Sequence, residues 1–152
     1  MAGLRFRAVT SMEISTGTSK KTILQGKAPT NQRVLVKEWG ISFKGTSNTA
    51  APILVELARQ TDDGIGGDTI TPQKMDPDYS ETIQSTWQEA VDGSSQPTEA
   101  SVLHREEVHP QGGITKQFPF GQEIVIDGGG FLGIAVTAGA TVSCVAHMVC
   151  EE

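Results

Sequence analysis

Residues 34–59 read VLVKEWGISFKGTSNTAAPILVELAR, and this stretch decides the fold. The first ten residues are rich in Val, Ile, Trp and Phe, which favour a pleated and half-buried surface. In the last seven residues, Ile53, Val55 and Leu57 occupy every second position. This two-residue period is typical of a strand that has one face on a core. The nine residues between these runs consist mostly of turn formers. The stretch therefore predicts an antiparallel β-hairpin, and with it an all-β protein.

The first strand of this stretch changes phase halfway along. Val34 and Val36 share one parity, whereas Trp39, Ile41 and Phe43 share the other. One extra residue near Lys37–Glu38, a β-bulge, would return all five side chains to the same face. The alternative is a strand that is covered on both faces, with a neighbouring subunit on the second one.

The rest of the chain is also typical of short strands joined by tight turns. Its 152 residues include 17 Gly and 7 Pro, which is high for a helical protein. Residues 131–138 and 140–149 predict a closing hairpin, and residues 81–91 predict a strand, with a short helix as the alternative. Residues 60–80 form a long loop rich in Asp and Gly. We therefore expect an antiparallel, jelly-roll-like β-sandwich of about eight to ten short strands.

The N-terminal part of the chain is distinguished by its charge. Residues 1–44 carry eight Lys and Arg against two acidic residues, whereas residues 45–152 carry four basic and sixteen acidic residues. This asymmetry predicts an N-terminal arm or edge strand over residues 1–22, followed by one β-sandwich domain over residues 23–152. The alternative is that the N-terminal strands interleave with the others, so that the charges mix on folding.

No pattern in the chain predicts catalysis. It has no G-x-S-x-G nucleophile elbow, and the sequence DDGIGGD at 62–68 does not match an EF-hand loop. His104, His109 and Glu106 would provide the two imidazoles and the carboxylate of a cupin-like metal site, but their spacing is not a recognised ligand motif. We therefore expect structural histidines, and a protein without enzymatic activity, bound metal or cofactor.

Cys144 and Cys150 are the only two cysteines. Along one strand they would lie roughly 20 Å apart, which is too far for a disulfide bond, so we expect two reduced thiols. No apolar run approaches the ~20 residues that span a bilayer. The net charge is −6, and no basic run is interleaved with aromatic residues. We therefore expect a soluble protein that is made in the cytoplasm and binds neither membrane nor nucleic acid.

Three segments carry a resemblance to a known family: EWGISFKGTSNTAAPILVELARQTDDG at 38–64, VHPQGG at 108–113 and GGGFLGIAVTA at 128–138. In its order of strands and turns, most of residues 23–152 resembles the jelly-roll cement, or decoration, proteins of tailed phages. The resemblance implies a homotrimer on the outside of the icosahedral head, at its threefold or quasi-threefold positions. There it would clamp neighbouring subunits of the major capsid protein, which makes the outer capsid surface of the virion its expected location.

The resemblance also suggests a docking role for the basic N-terminal segment. We expect this segment to contact the capsid or an adjacent protomer through Arg5, Phe6, Arg7, Lys20 and Lys21. The alternative function is that of a jelly-roll module that binds a carbohydrate or a receptor. In that case the aromatic platform for the ligand would be Tyr79 and Trp87, which flank the long loop.

Overall fold

The computed structural model describes residues 3–47, 50–92 and 95–152, and within these ranges the chain forms thirteen strands and no helix that could span a membrane. The strands build two antiparallel sheets around one core, which confirms the predicted all-β sandwich. Nine strands have five or more residues, and the other four are short. The strands are β1 (Arg5–Val9), β2 (Ile14–Ser15), β3 (Lys21–Lys27), β4 (Val34–Lys44), β5 (Ile53–Gln60), β6 (Asp68–Ile70), β7 (Gln73–Lys74), β8 (Thr86–Val91), β9 (Glu99–Val108), β10 (Gly113–Gln117), β11 (Ile124–Ile126), β12 (Phe131–Thr137) and β13 (Ser143–Glu151).

The order of the strands is that of a jelly roll. The front sheet has the order β10-β4-β13-β1-β7, with β11 beside β4 and β2 beside β13, and the back sheet has the order β6-β8-β3-β12-β5-β9. The main strands pair from the two ends of the chain towards its middle: β1 with β13, β3 with β12, β4 with β10, and β5 with β9. The fold is therefore one long antiparallel ribbon that is rolled into two sheets.

Strands that follow each other along the chain mostly lie in different sheets. The predicted hairpin over residues 34–59 is therefore wrong, because β4 belongs to the front sheet and β5 to the back sheet. The hairpin predicted over residues 131–149 is wrong for the same reason. Alternation shows that a strand has one buried face, but it does not identify the neighbouring strand. Asn48, a residue of the predicted turn, lies outside the described residues.

The β-bulge predicted in β4 is confirmed. Val149 of β13 is paired with Glu38, and the next residue, Cys150, is paired with Val36, so that Lys37 is the extra residue. The bulge brings both sets of apolar side chains into the core, where the buried residues are Val34, Val36, Trp39, Ile41 and Phe43. β4 therefore has a single buried face over its whole length.

The N-terminal segment lies within the sandwich from Gly3 onward, and Met1 and Ala2 are outside the described residues. β1 pairs with β13 over all five of its residues and with β7 over two. Phe6 is fully buried and meets the ring of Trp87 edge-on, with 5.8 Å between the ring centroids. The predicted domain boundary after residue 22 falls inside β3.

Residues 61–98 form an insertion between β5 and β9 that covers the same edge of both sheets. Within it, β6 extends the back sheet beside β8, and β7 extends the front sheet beside β1. The loop predicted over residues 60–80 therefore contains two short strands. The strand predicted over residues 81–91 is present as β8, and its helical alternative is wrong. Short edge strands of this kind limit pairing with other chains.

Gly26 provides a test of the packing between β3 and β8. A Cβ atom at this position would lie 2.5 Å from two ring atoms of Trp87, and the ring cannot move away because it is buried. We expect Gly26→Ala to lower the free energy of unfolding by about 1–3 kcal/mol in urea denaturation. The matched control is Gly139→Ala, where a Cβ would meet no atom within 4 Å. Equal unfolding midpoints for the two variants would contradict this packing.

Candidate protein-binding surface

Part of the outer face of the back sheet is covered by the chain itself. Its buried residues include Thr22, Gln25, Glu56, Ala58, Gln60 and Ala135. The loop of residues 61–67 lies over part of this face, where the Nε2 atom of Gln25 donates to the carbonyl of Asp62 at 2.9 Å. The Nε2 atom of Gln88 donates to the carbonyl of Asp63 at 2.7 Å. The part of this face near β3 and β8 is therefore occupied by the protein's own insertion, whereas β9 remains exposed.

The outer face of the front sheet, by contrast, is open to solvent. We call it the front face, and its members are Arg5, Arg7, Val9, Ser42, Gly113, Thr115, Val145 and His147. Val9 is 46% exposed and Val145 is 39% exposed, while Arg5 and Arg7 are exposed on the same strand as Val9. A face that combines exposed aliphatic and guanidinium groups is suited to contact with another protein.

A depression of about 220 Å³ lies in the middle of the front face. The strand register places Val9, His147, Gly40 and Thr115 side by side in one row across four strands. Gly40 leaves room for the imidazole of its neighbour, because a Cβ there would lie 2.5 Å from the Cε1 atom of His147. The depression is shallow and has Val9 and Val145 among its lining residues.

Glu38 organises the polar groups beside this depression. Its carboxylate accepts a hydrogen bond from Nε2 of Gln117 at 2.6 Å and lies 2.9 Å from Nε2 of His147. The Nη2 atom of Arg7 lies 3.8 Å from the Glu38 carboxylate. The hydrogen bond from Gln117, followed by the interactions with His147 and Arg7, holds the pKa of Glu38 below its ordinary value. The network therefore fixes a carboxylate and an imidazole within the front face.

The structure separates the five residues that were predicted to contact a partner. Arg5 and Arg7 lie on the front face, and the side chain of Arg7 is 51% exposed. Phe6 alternates with them on β1 and is fully buried in the core. In this fold, Phe6 is therefore a packing residue, and the two arginines are the members of the predicted set that lie beside Val9.

The two lysines of the predicted set lie elsewhere. The Nζ atom of Lys20 is 2.9 Å from Glu56 and 2.5 Å from Glu99. Burial lowers the pKa of Lys20, but the hydrogen bonds to these two carboxylates outweigh it and raise the pKa overall. Lys21 donates to the carbonyl of Ser15 at 2.9 Å and pairs with Asp92 at 3.2 Å, with only 10% of its side chain exposed. Both lysines are thus engaged in contacts within the protein.

The predicted aromatic platform is not assembled. Trp87 is 2% exposed, and its indole Nε1 donates to the hydroxyl of Ser85 at 3.0 Å. Tyr79 lies in the insertion and is partly exposed, and its carbonyl accepts a hydrogen bond from Lys74. Because the ring of Trp87 packs on Phe6 inside the sandwich, the two aromatic residues do not present a shared surface for a ligand.

The histidines that suggested a metal site take part in local contacts. Nε2 of His104 lies 3.0 Å from the Glu106 carboxylate, which also pairs with Lys116 at 2.9 Å. His109 accepts a hydrogen bond at Nδ1 from the backbone N–H of Gln111. Across residues 3–47, 50–92 and 95–152, no three His, Cys, Asp or Glu residues form a group that could hold a metal ion.

Both cysteines are free and buried, as expected for reduced thiols. Burial raises the pKa of the Cys144 thiol to about 12, and burial likewise raises the pKa of Cys150. The two thiols are therefore protonated at neutral pH and poor nucleophiles.

Sequence reasoning did not identify Val9, Val145 and His147 as surface residues of interest. The alternation along β13 places Val145 and His147 on the side opposite Cys144. The alternation could not indicate which side faces solvent, because both sides of β13 carry apolar residues. The row that joins His147 to Gly40 depends on pairing between strands more than 100 residues apart.

Comparisons with known proteins identify no relative of this chain. No family model, no curated protein and no solved structure matches it. The front face is therefore interpreted from its own geometry.

The Glu38 network predicts a pH-dependent contribution to stability. Because folding lowers the pKa of Glu38, its carboxylate stabilises the folded state above the ordinary pKa of 4.5. That contribution is lost as the pH falls through the lower pKa of the folded state. We expect Glu38→Gln to lower the free energy of unfolding by about 1–2 kcal/mol at neutral pH, with a difference from wild type that shrinks below pH 4.5.

The control for this experiment is Glu13→Gln, which removes an exposed ion pair with Lys44. We expect this change to alter the free energy of unfolding by less than about 0.5 kcal/mol. Urea denaturation across a pH series measures both differences. A Glu38→Gln effect of constant size from neutral pH down to pH 3 would contradict the assignment.

Proposed function

We propose that this protein is a structural protein of a tailed-phage virion, which decorates and stabilises the icosahedral head. In this proposal it binds the outer capsid surface as a homotrimer and bridges neighbouring subunits of the major capsid protein. The proposal extends the family resemblance of residues 23–152 and assigns the capsid contact to the front face. It makes the protein a binding module with no catalytic role.

The observation that carries the proposal is the difference between the two outer faces. The insertion lies over part of the back sheet, where Gln25 and Gln60 are buried. On the front sheet, Val9 and Val145 keep 46% and 39% of their surface exposed. Exposed aliphatic side chains of this kind, beside guanidinium groups and a shallow depression, are typical of a surface that binds a protein partner.

The front face has the groups needed to hold a capsid surface at several points. Arg5 and Arg7 can form bidentate hydrogen bonds with carboxylates of a partner. Val9 and Val145 lose exposed apolar surface on contact, which contributes roughly 25 cal/mol per Å². One such contact is small, but three copies linked in a trimer bind together, and multivalency raises the apparent affinity by roughly 10²–10⁴-fold.

Co-sedimentation with empty capsid shells tests the proposal. The shells are assembled from the major capsid protein of the phage to which the proposal assigns this protein. We expect the wild-type protein to sediment with them and Val145→Asp to lose at least about 90% of the binding, since an aspartate would place a charge in the contact. The matched control is Leu103→Asp, because Leu103 is 41% exposed and lies on β9 of the back sheet.

The possible outcomes distinguish the proposed function, capsid decoration, from the proposed binding surface, the front face. A wild-type protein that does not sediment with the shells would contradict capsid decoration, and glycan-array binding in its place would support the carbohydrate-binding alternative. Wild-type binding that Val145→Asp leaves unchanged would instead exclude the front face. Deleting the N-terminal segment is a poor test, because it would remove Phe6 and Ala8 from the core.

A further inference from the structure

His147 presents a ring nitrogen to solvent within the depression of the front face. Among the described residues that line the depression, it alone has an ionisable side chain, and 26% of that side chain is exposed. Its Nε2 atom lies 2.9 Å from the Glu38 carboxylate. Its Nδ1 atom has no hydrogen-bond partner within the described part of the chain, and it is not buried. One nitrogen is therefore engaged inside the protein, and the other is accessible to a binding partner.

The Glu38 carboxylate determines which of the two nitrogens carries the proton. A carboxylate accepts hydrogen bonds and cannot donate them, and Glu38 is kept ionised because the contacts with Gln117, His147 and Arg7 hold its pKa below the ordinary value. Nε2 of His147 is therefore the donor in the contact with Glu38. In a neutral imidazole the other ring nitrogen is then an acceptor. The front face thus presents Nδ1 as a hydrogen-bond acceptor of fixed tautomer.

The surroundings of the imidazole hold it in place and are suited to exclude water. The ring lies against the backbone of β4, because a Cβ atom on Gly40 would be 2.5 Å from Cε1 of His147. Val9 is the register partner of His147 on β1, and both Val9 and Val145 line the depression beside the ring. When a partner covers these two aliphatic side chains, water leaves the contact and a hydrogen bond to Nδ1 becomes stronger.

We infer that Nδ1 of His147 accepts a hydrogen bond from the major capsid protein, and that this bond selects the capsid surface that the front face binds. The inference rests on the proposed function, since it names a recognition atom of the same surface. The donor is a neutral group, such as a backbone N–H, a hydroxyl or a side-chain amide. A cationic donor is disfavoured, because the exposed guanidinium groups of Arg5 and Arg7 lie on the same face and like charges repel.

The contribution of this bond is to specificity. A surface that covers the depression without offering a donor leaves Nδ1 buried and unpaired, which costs free energy. A surface that offers a donor at this point avoids that cost. His147 therefore discriminates between partners, whereas Val9 and Val145 contribute apolar contact to any surface that covers them.

Two substitutions of His147 distinguish the two ring nitrogens. In asparagine, Oδ1 is as many bonds from Cβ as Nδ1 is in histidine, so His147→Asn keeps the acceptor for the partner and loses the donor to Glu38. In glutamine, Nε2 is as many bonds from Cβ as Nε2 is in histidine, so His147→Gln keeps the donor to Glu38 and loses the acceptor.

Co-sedimentation with the empty capsid shells over a concentration series measures the dissociation constant, and urea denaturation measures the unfolding midpoint. We expect His147→Gln to raise the dissociation constant by about tenfold or more, and His147→Asn by less than about threefold. The unfolding midpoints should rank in the opposite order, because only glutamine keeps the hydrogen bond to Glu38. A purely structural role for His147 would give the same order in both measurements.

The matched control is His104→Gln, because Nε2 of His104 also contacts a carboxylate, that of Glu106 at 3.0 Å, but lies on β9 of the back sheet. This variant should bind the shells like the wild type. If the wild type binds and His147→Gln binds as tightly as His147→Asn, the inference is overturned while capsid decoration stands. If the wild type itself does not bind the shells, the proposed function fails, and the inference fails with it.

Discussion

The extra residue in β4 is the constraint on which much of the molecule depends. An unbroken alternation would place either Val34 and Val36 or Trp39, Ile41 and Phe43 outside the core. Because Lys37 is bulged out, all five are buried between the sheets. The displaced residue then serves the edge of the sheet, where its carbonyl accepts from Phe118 and its ammonium binds Glu123 and Glu151. One local irregularity therefore fills the core and anchors the turn between β10 and β11.

The insertion explains why the two outer faces differ. β6 and β7 extend the two sheets at one edge, and residues 61–67 lie over the glutamines of the back sheet. In a sandwich whose two outer faces are polar and exposed to solvent, no insertion has to lie over either face. Here the buried polar side chains form hydrogen bonds with one another and with the loop, so that covering them leaves few polar groups unsatisfied. The chain therefore leaves the front face open while it covers part of its counterpart.

The sequence indicates the buried faces well and the strand partners poorly. The bulge was predictable because a change of parity within one strand is a local signal. The hairpins at 34–59 and 131–149 failed because the partner of each strand comes from the other end of the ribbon, as β13 does for β1. The same limit applies to the surface. Arg5 and Arg7 were predicted as docking residues, but their position opposite Glu151 and Val149 depends on long-range register, and the burial of Lys21 depends on Asp92 and Ser15.

The central position of β13 has a consequence for synthesis on the ribosome. This strand lies between β4 and β1 in the front sheet, yet residues 143–151 emerge after every other strand described here. A nascent chain that lacks them leaves β4 and β1 each with an unpaired edge, and it has an open apolar interior. Such pairings between distant segments form slowly, and unpaired edges invite aggregation. Stalled or truncated translation products of this protein are therefore natural clients for chaperones and proteases.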